Sequence, residues 1–388
     1  MDKEIFLVED GGFGGWALHA FVICTALKEQ GIDVHLLTNK EYEFDSFEKN
    51  FKVSKIFEPI KKREKQSKAV WLLNRFYVYY TNTKKLLDFL KDKSNYIVHF
   101  YSSNYFLNGP ANSLLPRDVK VVSNIHDVEP HYNKGTYYMK LQGFLTRKAL
   151  VRANKLIVFT NEGVRELLQK TGGEKKVAFV EHGQVYLPGA FSKTQAAEYK
   201  PSSKLRCLCF GSLRPNKGFE VLLQSVAEMN DAEKQMLEVK IVGQAEDPSY
   251  YNTLAGFLKD NGLETCVDLQ NRYVDISEIH TCFKDIDLVI LPYTHFHSQS
   301  GVIYLAHSFG IPVLVTDLAG LKEHIEKTSA GFMVRHSDAH SLKNELVRIA
   351  SEPSQLVEKR EYVKKYMKTA LDGWKLISRE YQKIYESV

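Results

Sequence analysis

Two basic residues, Arg214 and Lys217, stand in a short loop that could bind an anion. The loop follows an apolar stretch at residues 205–210, which predicts a strand, and it precedes an amphipathic stretch that predicts a helix. Gly211 and Gly218 break regular structure at its two ends. Ligands of open α/β sheets bind at the carboxyl ends of the strands, so two cations here suit a diphosphate. On spacing alone, they could equally be solvated loop charges.

A second stretch, residues 287–317, is predicted to form a strand, a loop, a helix and a strand. Ser298 or Ser300 can cap the helix, which leaves backbone N–H groups at its start. A helix start behind a loop of serine and glycine is an anion site. The candidate contacts in this loop are Gln299, Ser300, Gly301 and Val302. Two consecutive strand–helix units could therefore offer cations from one loop and N–H donors from the next.

His126 follows a predicted buried strand at residues 120–125 and is itself followed by Asp127. A histidine at the carboxyl end of a strand, next to a carboxylate, can form part of a site. His131 lies in the same loop and could reach an acceptor. Taken alone, a histidine at a strand end is more often structural.

The first predicted strand, residues 5–8, leads into a glycine-rich loop that contains Gly12, Gly14 and Gly15. Gly12 and Gly14, together with Ala17, fit a loose dinucleotide-binding fingerprint. Such sites need an acidic residue at the end of the second strand, and the second predicted strand ends in threonine, asparagine and lysine instead. A loop that faces a substrate is therefore favoured over a structural turn, and a dinucleotide site is the least favoured interpretation.

The length of 388 residues predicts two domains. Strands and helices alternate in both halves, on either side of a polar segment at about 184–203, which favours doubly wound parallel sheets. The net charge of +5 is not the footprint of a nucleic-acid-binding protein. Five cysteines without paired spacing indicate a reducing, cytoplasmic compartment. No signal peptide and no membrane-spanning segment are expected.

These motifs, in this order, resemble those of the GT-B glycosyltransferases of family 4. The Gly-x-x-Arg-x-x-Lys-Gly loop of that family is matched by Gly211, Arg214, Lys217 and Gly218. Its Gly-x-Pro-Val and Gly-Leu-x-Glu segments are matched at residues 310–313 and 320–323. The resemblance covers most of residues 200–388 and, more thinly, the N-terminal half.

One departure concerns two glutamates, separated by seven residues, that the family often carries across this loop and helix. His297 and Leu305 stand at those positions, so the sugar and ribose contacts of the glutamates cannot be transferred. The segment 299–302 resembles that of a variant subgroup, and the backbone phosphate site at Ser300 and Gly301 still can be transferred.

The resemblance implies an α/β fold of the GT-B type, with two Rossmann-like, doubly wound parallel-sheet domains facing a cleft. It implies an acceptor-side domain at residues 1–195 and a domain for a nucleotide sugar at 196–369. A C-terminal helix at 370–388 would pack back on the first domain, after a break near Gly373.

The implied activity is a retaining, metal-independent transfer of a sugar from a UDP- or GDP-sugar to a glycan or lipid-linked acceptor, in polysaccharide or glycoconjugate biosynthesis. No cofactor is expected. Arg214, Lys217 and the helix start would stabilise the leaving diphosphate, and His126 would lie beside the transferred sugar. The other positions implied near the substrates are Gly12, Gly14, Gly15, Gly211, Tyr273, Val274, Gln299, Ser300, Gly301 and Val302 for the donor, and Asp127 and His131 for the acceptor.

Two other functions stay open. A non-catalytic sugar-nucleotide-binding or scaffold protein would also lack the two glutamates. A dinucleotide oxidoreductase would change the fluorescence of NAD(P)H on mixing. Turnover of a sugar nucleotide separates the first from an enzyme.

Residues 51–93 carry 12 Lys and Arg against 4 Asp and Glu, together with several aromatic residues. The pattern predicts a helix over 67–90 whose core face has helical spacing. The residues predicted to face the core are Ala69, Leu72, Leu73, Phe76, Tyr80, Thr83, Leu87 and Leu90. The remaining aromatics and cations, among them Lys61, Lys62, Arg63 and Lys65, suit peripheral contact with an anionic membrane. A solvated basic face is the alternative.

Overall fold

The computed structural model describes residues 3–60, 67–102, 104–126, 137–171, 176–185, 202–296 and 299–388. The chain divides into two compact units. One is formed by Met1–Gly183 with Gly373–Val388, and the other by Gln184–Asp372.

The first unit is built on a parallel sheet whose described strands have the order β3-β2-β1-β4-β5-β6-β7. The strands are β1 Glu4–Val8, β2 Val34–Asn39, β3 Lys52–Phe57, β4 Tyr96–Phe100, β5 Lys120–Asn124, β6 Lys155–Val158 and β7 Val177–Phe179. The helices are α1 Gly14–Glu29, α2 Lys68–Leu90, α3 Tyr105–Leu114, α4 Tyr137–Arg152 and α5 Asn161–Thr171. The order reverses between β1 and β4, so the carboxyl ends of these strands mark the topological switch point, where ligands bind in such sheets.

The second unit repeats this plan with the strand order β10-β9-β8-β11-β12-β13, again parallel. Its strands are β8 Leu205–Phe210, β9 Leu237–Gly243, β10 Val267–Asn271, β11 Leu288–Leu291, β12 Val313–Thr316 and β13 Gly331–Val334. Its helices are α6 Phe219–Ala227, α7 Asp231–Gln235, α8 Pro248–Asp260, α9 Ile279–Phe283, α10 Gly301–Ser308, α11 Ala319–Thr328 and α12 Ala339–Ser351. The switch point here lies between β8 and β11, the two strands that precede the predicted anion loops.

The predicted class of fold, two doubly wound parallel sheets, is confirmed. The strands are almost continuously apolar because helices cover both faces of each sheet. Cys207 and Cys209 illustrate this in β8. Both are buried in the core as free thiols. Burial raises the pKa of each thiol above its ordinary value, so neither is a reactive thiolate.

The C-terminal helix, α13 Ser354–Glu386, is continuous, which corrects the predicted break near Gly373. A glycine in a helix interior costs about 1 kcal/mol. The burial of aromatic side chains that follow at helical spacing, Trp374, Tyr381 and Tyr385, outweighs that cost. Trp374 also packs so closely on Gly183 that a side chain at that glycine would collide with the indole ring.

A second prediction was wrong: the face that helix α2 buries is rotated about the helix axis from the predicted core face. Leu73 is 70% exposed and Tyr80 is 69% exposed, and Phe76 is exposed as well. The residues that α2 buries include Tyr79, Asn82, Thr83, Leu86 and Leu90. Apolar periodicity could not reveal this face because a polar residue, Asn82, lies at its centre. The Asn82 side chain accepts a hydrogen bond from the backbone N–H of Glu58 and donates one to the carbonyl of the same residue. The side chain of Ala69 lies outside the described part of the chain.

Candidate functional site

The loop after β8 carries both predicted cations and is shaped by two glycines. Gly211 has φ 118° and Gly218 has φ 69°, values that favour glycine. A Cβ atom at Gly218 would also collide with the backbone carbonyl of Pro292, just beyond β11. The loop therefore packs directly against the residues that follow the carboxyl end of β11.

This close approach places Lys217 against aromatic side chains from the second loop. Its ammonium Nζ lies 3.7 Å from the centroid of the Tyr293 ring and 5.3 Å from that of Phe296. Only 9% of Lys217 is exposed. Arg214, in the same turn, pairs with Glu246 across 3.5 Å. The two predicted cations thus lie at the carboxyl edge of the sheet.

The start of α10 lies beside this loop, since a Cβ atom at Gly211 would be in van der Waals contact with Val302. Ser300 occupies the N-cap position, but its hydroxyl does not cap the helix. The hydroxyl instead lies 3.1 Å from the phenol oxygen of Tyr293, which corrects the predicted cap at Ser300. Ser298, the other predicted cap, lies outside the described residues. Gln299 accepts a hydrogen bond from the Tyr304 hydroxyl at 3.2 Å.

The structure therefore brings together a set of predicted donor contacts in the second unit. These are Gly211, Arg214, Lys217, Ser300, Gly301 and Val302. Tyr273 and Val274 follow β10, which is separated from β8 by β9. At the usual spacing of strands, two steps across a sheet span about 10 Å.

Tyr293 is the functional candidate that sequence reasoning missed in this unit. It stands two residues beyond β11, is buried, and touches both Lys217 and Ser300. Burial raises the pKa of its phenol to about 12, so the hydroxyl stays protonated. The only sequence signal was an aromatic residue at the end of an apolar strand, which ordinarily means core packing.

In the first unit, the glycine-rich loop is fixed by neighbouring side chains. The backbone N–H of Gly12 donates to the Glu9 carboxyl at 2.9 Å, and that of Gly14 donates to Glu43 at 2.9 Å. Asn39, at the end of β2, donates its amide to the backbone carbonyl of Asp10 at 3.1 Å. The position that a dinucleotide site fills with an acid is thus taken by an amide that holds the loop.

Glu9 and Asp10 are buried carboxyls at the end of β1 that sequence reasoning also missed. Burial, with the charge of Asp10, raises the pKa of Glu9 to about 8. Burial likewise raises the pKa of Asp10, which accepts hydrogen bonds from Ser102 at 2.7 Å and from the Asn104 amide. The sequence signal for this pair was two consecutive acidic residues at the end of a strand.

His126 lies at the carboxyl end of β5, next to the glycine-rich loop. Its ring centroid is 3.6 Å from that of Trp16, which follows Gly15 in the first turn of α1. The Nε2–H group donates to the backbone carbonyl of Tyr101 at 2.7 Å. Because a carbonyl oxygen can only accept, Nε2 carries the proton of this hydrogen bond. Asp127 and His131 lie outside the described residues.

A series of buried hydrogen bonds continues from Tyr101, whose carbonyl accepts from His126. The Tyr101 hydroxyl donates to Nδ1 of His19, and Nε2–H of His19 donates to the backbone carbonyl of His182 at 2.5 Å. The two histidine rings are stacked, with centroids 3.9 Å apart. Burial lowers the pKa of both, to about 4 for His182, so they are neutral at pH 7.

Within the described part of the chain, no group of three or more His, Cys, Asp or Glu side chains is placed to hold a metal ion. Across the same residues, no helix is both long enough and apolar enough to cross a membrane.

Two family models match the chain, one to each unit. A model of glycosyltransferase family 4 matches residues 13–183. A model of glycosyl transferases group 1 matches residues 204–352.

Two relatives of known activity are similar over part of their length. The chain is 34% identical over 110 residues to the GDP-mannose:glycolipid 4-beta-D-mannosyltransferase of Xanthomonas campestris pv. campestris, a match to 28% of this chain and 29% of that protein. It is 24% identical over 260 residues to the D-inositol 3-phosphate glycosyltransferase of Corynebacterium efficiens, covering 61% and 59% of the two chains. The chain thus matches less than two thirds of either relative.

Solved structures are similar over whole chains. HepE from Anabaena, in complex with UDP, has a TM-score of 0.69 at 17% identity, with 100% of both chains covered. The sucrose-phosphate synthase from Thermosynechococcus elongatus has a TM-score of 0.70 at 14% identity, again with both chains fully covered. At these identities, the similarity concerns the fold.

Proposed function

This chain belongs to the GT-B glycosyltransferases of the family-4 type, and we propose that it transfers a sugar from a nucleoside-diphosphate sugar to a glycan or lipid-linked acceptor. The observation that carries this proposal is the convergence of Lys217, Arg214 and the start of α10 at one switch point. A nucleoside diphosphate gains negative charge as the glycosidic bond breaks. Preorganised cations and helix N–H groups at that place stabilise the charge.

The transfer is proposed to be independent of metal ions. In metal-dependent transferases, a bound cation neutralises the diphosphate, and here the Lys217 ammonium and the Arg214 guanidinium would take that role. We further propose that the anomeric configuration is retained, with the leaving phosphate accepting the proton of the acceptor hydroxyl. No side chain is assigned as a general base.

The donor is proposed to be a UDP- or GDP-sugar. The Xanthomonas relative is named for GDP-mannose and HepE was solved with UDP, so both bases are represented among similar proteins. The loop of Tyr273 and Val274, about 10 Å across the sheet from β8, is proposed to receive the base. Gly12, Gly14, Gly15 and Gln299 stay proposed donor contacts, and Asp127 and His131 stay proposed acceptor contacts.

His126 is proposed to lie beside the transferred sugar. Its ring is fixed by the bond from Nε2 to Tyr101 and by the packing of Trp16. At that place the histidine would hold a sugar hydroxyl or steady positive character at the anomeric carbon.

A peripheral contact with an anionic membrane is proposed for the exposed face of α2, formed by Val70, Leu73, Tyr77 and Tyr80. These side chains recur at intervals of three and four residues, so they share one side of the helix, and Tyr77 is 70% exposed. Exposed Lys84 continues the same face. Apolar and aromatic side chains beside a cation suit the interface of an anionic leaflet. Lys61, Lys62, Arg63 and Lys65 lie outside the described residues.

One observation favours the second candidate, a protein that binds sugar nucleotides without turnover. Leu305, at a position where the family often has a glutamate, is a buried apolar residue of α10 and offers no group to a sugar or ribose. Such a protein would bind the donor and leave it intact.

A panel of UDP-, GDP- and ADP-sugars tests the proposal. One nucleotide sugar should raise the melting temperature, and nucleoside diphosphate should be released from it slowly by hydrolysis and faster with an acceptor. Binding without any release would favour the non-catalytic candidate. Absence of any shift with all donors would overturn both.

A further inference from the structure

Tyr293 lies between the two halves of the proposed phosphate site. Its backbone carbonyl accepts a hydrogen bond from the Thr316 hydroxyl at 2.8 Å, which ties it to the end of β12. Its side chain is buried, with its ring against Lys217 and its hydroxyl toward Ser300. The residue therefore has a fixed backbone and two polar contacts, each to a different loop.

The ring fixes where the Lys217 ammonium sits. The distance of 3.7 Å from Nζ to the ring centroid is well within the range of a cation–π interaction. Lys217 is largely removed from solvent, and the electron-rich face offsets part of the hydration that it loses. A lysine side chain has four rotatable bonds, so a partner that restricts the ammonium contributes positioning as well as attraction.

The Tyr293 hydroxyl determines which contact the Ser300 side chain makes. A serine at an N-cap normally turns its oxygen back to accept from the first-turn N–H groups. Here the oxygen lies 3.1 Å from the Tyr293 hydroxyl and makes no cap bond. The Ser300 hydroxyl therefore does not cap the first-turn N–H groups of α10.

We propose that Tyr293 is a positioning residue for the diphosphate: its ring places the Lys217 ammonium, and its hydroxyl holds Ser300 away from the start of α10. The inference rests on the proposed function, since it assigns a role within the same site. Tyr293 acts through the groups that it holds, without itself touching the phosphates.

The test measures binding of UDP, GDP and the matching nucleosides by titration calorimetry. Tyr293→Leu removes ring and hydroxyl, and Tyr293→Phe removes the hydroxyl alone. Each change is repeated in a second background, Tyr293→Leu with Lys217→Met and Tyr293→Phe with Ser300→Ala. Phe283→Leu is the matched control, because Phe283 is a buried aromatic of the same unit that packs on Phe210 and Phe309.

Tyr293→Leu should weaken binding of the nucleoside diphosphate about tenfold, and binding of the nucleoside should be unchanged. The loss should shrink to that of Tyr293→Phe when Lys217 is already methionine, because only the effect of the hydroxyl on Ser300 then remains. Tyr293→Phe should cause a smaller loss of diphosphate affinity that vanishes when Ser300 is already alanine. Phe283→Leu should lower the melting temperature and leave the preference for diphosphate over nucleoside intact.

Equal losses for nucleoside and nucleoside diphosphate in Tyr293→Leu would overturn the inference, as would a loss that persists undiminished with Lys217→Met. If Tyr293→Leu does not fold, Tyr293→Phe with and without Ser300→Ala decides in the same way. A wild-type protein that bound neither UDP nor GDP would overturn the proposed function and the inference with it. Binding by the wild type together with unaltered binding by all Tyr293 variants would overturn the inference alone.

Discussion

The Nε2–H group of His126 donates to the backbone carbonyl of Tyr101 across 2.7 Å. This bond and the packing of the Trp16 indole hold the ring in place. His126 belongs to the first unit, so its ring can be removed without changing Arg214, Lys217 or the start of α10.

We expect His126→Ala to lower transfer by about tenfold or more, the effect of losing one buried hydrogen bond in the transition state. Binding of the nucleoside diphosphate should be unchanged, since the cations and helix start proposed to bind the diphosphate are left intact. Steady-state transfer and calorimetric binding measure the two effects separately. An equal loss of both would mark His126 as a structural residue.

The cations of the second unit provide the next prediction. Lys217→Ala or Arg214→Ala should lower turnover by roughly 10²-fold or more, as expected on removal of one preorganised electrostatic contact. Lys217→Met, which keeps an apolar stem of similar length, should lower turnover equally with less effect on melting temperature. Lys204→Ala removes an exposed cation of the same unit and serves as the control. Near-normal turnover in either site variant would exclude the proposed assignment.

Metal dependence follows from the same charges. If Lys217 and Arg214 neutralise the diphosphate, transfer should proceed unchanged in EDTA. Initial rates with EDTA, and with added Mg²⁺ or Mn²⁺, measure this directly. Activity that is lost with EDTA and restored by either metal ion would show that the proposed role of the two cations is incomplete.

The sequence predicted the loops of this site better than the contacts between them. Gly211, Arg214 and Lys217 lie within eight residues, and residue types so close in sequence report local turn geometry. Tyr293 lies 76 positions after Lys217, and their contact depends on β8 and β11 being neighbours in the sheet. Periodicity assigns each strand but cannot say which side chains from two loops will meet.

Polar residues in the core were the other source of error. Asn82 occupies the centre of the buried face of α2 because its amide satisfies two backbone groups of Glu58. Apolar spacing alone therefore predicted a face of α2 that differs from the buried one. Asp10 was overlooked for a related reason, since Ser102, which donates to its buried carboxyl, comes from a distant segment.

The exposed face of α2 predicts binding to vesicles that contain anionic lipid. Changing Leu73, Tyr77 and Tyr80 to Ser should reduce co-sedimentation, because these side chains would enter the interface. Leu376→Ser is the matched control, since Leu376 is 64% exposed on α13. Binding should weaken as salt rises. Equal pelleting with neutral and anionic vesicles, or none with either, would contradict the proposed contact.

The buried carboxyl of Glu9 predicts how stability depends on pH. Its pKa is about 8 in the folded protein against an ordinary value of 4.5, so the folded state holds a proton that the unfolded state releases between these values. The stabilisation is fully present below about pH 4.5 and is lost as pH rises toward 8. Glu9→Gln, which cannot ionise and keeps the size of the side chain, should reduce this decline by roughly 1 kcal/mol or more. Urea unfolding at a series of pH values measures the difference, with the exposed residue change Glu41→Gln as control. A decline of the same steepness in Glu9→Gln and in the wild type would show that Glu9 is not the group that titrates.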